Sequence, residues 1–193
     1  MPTNSRLWVC RYGFLVNVIT NGTHVKKQQR WIMREITDPS NARFLPAPVL
    51  RETNAKGTDG RFAKNKIRLP TVKDGNFIGC PVTKSDRKTL WPDDPSMLKK
   101  GEVPHYHMLE KDDFVAWANE DPDAAHSPEH QLYYVYCELC SAVSAGKNFF
   151  CQFAISKIFS VKHLVSAIFE EELPPKWKAL YVNLLINVYI SHR

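Results

Sequence analysis

The sequence predicts an all-α fold of stacked helices. Three observations predict it. Apolar residues recur at helical spacing through the last third of the chain, start and stop signals punctuate that stretch, and its final segment is apolar on two opposite sides. A helix apolar on both sides has to be sandwiched between neighbours, which is how α-solenoids bury their core.

The chain divides into three zones. Residues 1–37 form an N-terminal helical segment in which Val25, Ile32, Met33 and Ile36 share one face, and Asp38-Pro39 ends it because a residue before proline is pushed out of the α region. Residues 38–104 hold most of the prolines and glycines and few periodic apolar positions. They read as an irregular or disordered basic linker, unable to bury enough surface to offset the entropy of ordering. Phe77-Ile78 and Leu90-Trp91 stand out within it as short apolar anchors.

Residues 105–193 read as consecutive helices. Glu110 to Glu120 is a short helix with Phe114 and Trp117 on one side, and Ser127-Pro128 caps and starts the next. That helix carries Leu132, Val135, Tyr136, Leu139, Cys140 and Val143 as its expected buried stripe and stops at Gly146. A helix over 147–157 follows. Ser160 caps another with Val161, Leu164, Val165, Ile168 and Phe169, and Pro174-Pro175 opens the last, where Trp177, Leu180, Tyr181, Leu184, Leu185, Val188 and Tyr189 share a face opposite Val182, Ile186 and Ile190.

Composition narrows the function classes. The chain has 193 residues, 44% of them hydrophobic, which permits one ordinary core. The longest uncharged apolar run, Ala179 to Ile190, falls short of the roughly 20 residues that cross a bilayer. No secretory leader is read at the start, where Arg6 and Arg11 interrupt the apolar residues, so the chain reads as soluble and cytoplasmic. Five cysteines without a regular framework fit a reducing compartment, which leaves the sequon Asn21-Gly22-Thr23 unused.

The formal net charge is +6, and the segment Leu50 to Lys88 accounts for it with ten Lys or Arg against four Asp or Glu. Arg61, Lys64, Lys66, Arg68, Lys84, Arg87 and Lys88 are the residues that would neutralise the phosphates of a polyanion, nucleic acid or anionic lipid. Only Phe62 and Phe77 are at hand there to stack bases, and a solvated linker is the plainer reading.

Metal and catalytic signals are weak. His126, His130, Cys137 and Cys140 are close enough in sequence to suggest zinc, but tetrahedral convergence on one helix conflicts with Cys140 lying in the buried stripe and Cys137 well around the cylinder. His105 and His107 flank Tyr106 with no further soft ligand nearby. The carboxylate clusters lack the spacing of a calcium loop, and no dinucleotide fingerprint, phosphate loop or nucleophile elbow is present. With no convergent nucleophile, base and oxyanion donor, neither an enzyme nor a cofactor is expected.

One stretch carries a resemblance. Ala145-Gly146-Lys147-Asn148 is followed by Phe149 and Phe150, then by a proline-initiated helix closing with Tyr181-Val182-Asn183-Leu184-Leu185 and Tyr189. That order resembles the cytosolic helical homology region shared by inositol trisphosphate receptors and ryanodine receptors, more closely the former. The resemblance implies an armadillo-like solenoid segment at the cytosolic face of the endoplasmic reticulum, packed against other helical repeats and coupling ligand binding to the gating of a calcium-release pore. Its residues would be structural or docking residues, namely Leu139, Gly146, Asn148, Phe150, Leu164, Trp177, Tyr181 and Leu185. The family's ligand-binding and ion-conducting residues have no counterparts in this sequence.

Overall fold

A computed structural model describes residues 19–20, 23–38, 41, 45–50, 65–73, 76–78, 106–109, 111–120 and 128–191. These residues are mostly helical. The first described element is a small antiparallel pair, β1 (Ile19–Thr20) and β2 (Thr23–His24), with Ile19 opposite His24. Helix α1 (Lys26–Thr37) then buries Ile32, Met33 and Ile36 as its spacing predicts. It ends at Asp38, whose backbone is extended (φ −62, ψ 125) ahead of Pro39.

The described residues 47–50, 65–73 and 76–78 are strands, where an irregular linker is expected over 38–104. Strand β4 (Asn65–Lys73) is the centre of a four-stranded antiparallel sheet with β3 (Ala47–Leu50), β5 (Asn76–Ile78) and β6 (Tyr106–Leu109). Ile67 pairs with both Pro48 and Leu109, and Arg68 with both Ala47 and Met108, so β3 and β6 lie along opposite edges of β4. Strand β5 pairs with the far end of β4, Thr71 opposite Ile78. The physical reason is the alternation in Lys66-Ile67-Arg68-Leu69, a period of two, which is a half-buried strand pattern. Ile67 and Leu69 are buried. Residues 39–40, 42–44, 51–64, 74–75 and 79–104 of the proposed linker lie outside the described residues.

The described helices pack on one another, and two of them also pack on this sheet. Those after β6 are α2 (Lys111–Ala118), α3 (Pro128–Ser144), α4 (Phe149–Ile158), α5 (Val161–Ile168) and α6 (Pro175–Leu185), the last continued by a π-helical turn over Ile186–Ile190. Helices α2 and α3 pack on β4, α1 packs on α3 and α4, and α6 packs on α3 and α5. Ile67, Leu69 and Leu109 from the strands therefore join Phe114, Tyr133, Leu164 and Leu184 from the helices in a single core. Among the described residues the sheet and the helices share that core.

Two helix faces differ from expectation. On α3 the fully buried positions are Tyr133, Tyr136, Cys137, Cys140 and Val143 with Ser141 and Ser144, while Leu132, Val135 and Leu139 are only partly buried. The face is turned about one residue because the Tyr133 ring and the Cys137 thiol go inward. On α5, His163 and Leu164 are buried whereas Val161 and Phe169 are exposed. The Ser160 cap forms as predicted, its hydroxyl accepting from the His163 amide at 3.2 Å.

Candidate docking surface

The turn between α3 and α4 fixes how α4 projects. Gly146 (φ 73) and Lys147 (φ 57) both occupy the left-handed region, which ends α3 and redirects the chain. A Cβ on Gly146 would lie 2.8 Å from the Cβ of His24, so the position is closed by β2 as well as by its backbone angle.

Behind this turn, buried amides bind four elements together. Gln29 on α1 donates through Nε2 to the carbonyls of Ala142 (3.2 Å) and Ala145 (3.0 Å), and its Oε1 accepts from Asn148 Nδ2 at 2.9 Å. Gln152 on α4 donates to the Ser144 carbonyl (3.1 Å) and to the Asn187 carbonyl in the π turn (2.8 Å). Asn187 Nδ2 in turn reaches the Ser141 carbonyl (3.2 Å) and hydroxyl oxygen (3.1 Å). These bonds satisfy carbonyls freed by the helix end and by the π turn. They fix α1, α3, α4 and α6 relative to one another, since each bond works only at one geometry.

A second cluster joins α2, α3 and α6. Trp177 lies edge-on to Phe114 (5.0 Å between centroids), Trp117 (5.2 Å) and Tyr134 (4.9 Å) and stacks on Tyr133 (5.8 Å). The Tyr133 and Tyr181 hydroxyls share a hydrogen bond of 2.9 Å inside the core. Burial pushes both phenols well above their usual range. Burial also raises the Cys137 and Cys140 thiols and moves Cys151 up to about 11, so none of the three is poised as a thiolate. His163 is held neutral, its pKa lowered by burial to about 4.

The outer face of α4 is the surface these contacts hold in place. Phe149, Phe150 and Phe153 are 62%, 47% and 68% exposed along one stripe, and Lys157 Nζ sits 4.8 Å over the Phe153 ring. Monomeric proteins rarely expose contiguous large apolar side chains, and such patches mark contact sites. Ile186 and Ile190, expected on the free side of the last helix, are exposed in the adjoining π turn.

No protein-family model matches this chain, and neither does any curated protein.

The eight residues singled out as structural or docking separate by depth. Leu164, Trp177 and Tyr181 are core, Leu139 and Leu185 pack partly buried against it, Gly146 and Asn148 build the α3–α4 turn, and Phe150 belongs to the stripe. Of the zinc candidates, Cys137 and Cys140 are both buried, contrary to their expected separation around the helix, and His130 lies against the Trp117 ring at 4.5 Å between centroids. No group of three potential metal ligands occurs among the described residues, and His126 lies outside them. Lys66 and Arg68 fall on β4, whereas Arg61, Lys64, Lys84, Arg87 and Lys88 lie outside the described residues. Sequence reasoning missed Gln29, Gln152, Asn187 and the exposure of Phe149 and Phe153. A signal for Gln29 was present: it stands on the apolar stripe of α1, three and four residues before Ile32 and Met33.

Proposed function

We propose that the chain is a non-enzymatic helical scaffold segment, of the armadillo-like kind implied by its resemblance to the cytosolic region of inositol trisphosphate receptors. In that role it passes ligand-driven movement toward a pore at the cytosolic face of the endoplasmic reticulum. The observation that carries this reading is the phenylalanine stripe of α4, a large apolar surface on a helix whose other side is fixed by buried hydrogen bonds. A segment that relays movement needs a stiff body and a contact surface. Packed cores resist deformation and so pass shifts to neighbours as rigid-body displacements.

A second reading is favoured by charge. Lys26, Lys27, Arg30 and Arg34 on α1 are exposed, and Lys66 and Arg68 stand on β4, a distribution suited to an adaptor that binds nucleic acid or anionic lipid. Salt separates the two. Heparin binding measured on the full chain at low and high salt should be absent or weak under the scaffold reading, while an apolar dye binds equally at both. Tight heparin binding that collapses with added salt, without dye binding, would replace the scaffold with the adaptor.

A further inference from the structure

The phenylalanine stripe has a counterpart on the same chain. From Leu139 to Phe169 the sequence contains no Asp or Glu, and Lys147, Lys157 and Lys162 are exposed within that span. The stripe is therefore apolar with a positive rim, Lys147 at its start and Lys157 at its end. At the turn between α5 and α6 carboxylates stand beside an apolar side chain, with Lys178 Nζ also reaching the Glu171 carbonyl at 3.3 Å. Phe169 is 76% exposed, the largest exposure of any large apolar side chain among the described residues, and Glu171 and Glu172 beside it are exposed. The turn is anchored rather than loose: the Phe169 amide bonds the Val165 carbonyl at 3.1 Å, and Asn119 Nδ2 holds the Glu172 carbonyl at 2.8 Å.

We propose that the α4 stripe takes the Phe169 corner of a second copy of this chain in a head-to-tail contact. Phe169 supplies the apolar knob that lies along Phe149 and Phe153, and Glu171 and Glu172 meet Lys147 and Lys157. Stripe against stripe is disfavoured because it would bring lysine rims together, and corner against corner would oppose carboxylates. Two different patches in contact make a heterologous interface, which either closes into a ring or extends as a chain. This proposal rests on the docking reading above and names the occupant of the same surface.

The test uses the full chain in light scattering, with Phe153→Ser and Phe169→Ser as variants. Both side chains are exposed, so unchanged circular dichroism and melting temperature are expected for each. The wild type should form species larger than a dimer as concentration rises, and each variant alone should stay monomeric. An equal mixture of the two should give a one-to-one heterodimer, because the Phe169→Ser chain keeps an intact stripe and the Phe153→Ser chain keeps an intact corner. A mixture that stays monomeric, or a Phe169→Ser chain that associates like the wild type, would overturn the head-to-tail contact. A wild-type monomer that still binds an apolar dye through the stripe would overturn it too while leaving the scaffold reading in place, whereas a monomer with no dye binding would remove both.

Discussion

Gly146 shows how one residue sets the direction of a whole helix. It adopts a positive φ and also sits where a Cβ would press on His24, so Gly146→Ala combines backbone strain with a clash against a side-chain atom that cannot rotate away. We expect a loss of about 2 kcal/mol, read as a lower urea midpoint with an unchanged slope. The buried tyrosine pair behaves differently. Tyr181→Phe leaves the Tyr133 hydroxyl only the Cys137 thiol as a partner, at a cost of about 1 kcal/mol, whereas Tyr133→Phe with Tyr181→Phe removes both polar atoms together. The double variant should be more stable than the sum of the two single losses implies, and a simple sum in a double-mutant cycle would deny the coupling.

His163 gives the fold a pH dependence of known sign. Burial lowers its pKa from 6.5 to about 4, and neither ring nitrogen has a hydrogen-bond partner. The unfolded chain binds this proton below pH 6.5 and the folded chain only near pH 4, so the contribution is complete above 6.5, declines between the two and levels off below 4. The span is worth roughly 3 kcal/mol. Unfolding midpoints measured across that range should fall in the wild type and lose this slope in His163→Leu; an equal slope in both would place the imidazole in water.

Among the elements, the helices were legible where apolar spacing, caps and prolines agreed: α6 begins at Pro175, α5 is capped by Ser160, and α1 stops before Pro39. The sheet was hidden by composition. Prolines and glycines around β4 masked the short alternation of Ile67 and Leu69, and the partners on β3 and β6 are too far off in sequence for any local pattern to reveal. The face of α3 was misjudged by about one residue because an aromatic ring with a hydroxyl, Tyr133, is as able to enter a core as leucine once the hydroxyl finds a partner. Leu69→Ala measures the sheet's part in the core directly. Leu69 is fully buried, so its truncation should cost about 2–5 kcal/mol, where a linker residue would cost almost nothing.

At the scale of the whole molecule, the candidate site was half visible. The sequence marked the Gly146 turn and the surplus apolar residues, but periodicity cannot tell an apolar residue that is covered from one that is left open, which is decided by the neighbours a helix happens to have. Ile155 and Phe153 are both apolar and two positions apart on α4, yet the first is buried and the second is 68% exposed. The proposed role needs a stiff body with an open apolar stripe, and among the described residues no helix is long and apolar enough to cross a membrane.

The most direct measurement is dye binding and light scattering on the wild type and on a chain carrying Phe149→Ser, Phe150→Ser and Phe153→Ser. The wild type should bind the dye and associate with little loss on adding salt, since apolar contacts carry the affinity and exposed ion pairs add little. The triple variant should do neither while keeping a cooperative melt and the same circular dichroism, its melting point lowered by no more than the covered half of Phe150 accounts for. Equal dye binding and equal association in the two chains would show that the stripe is not the docking surface.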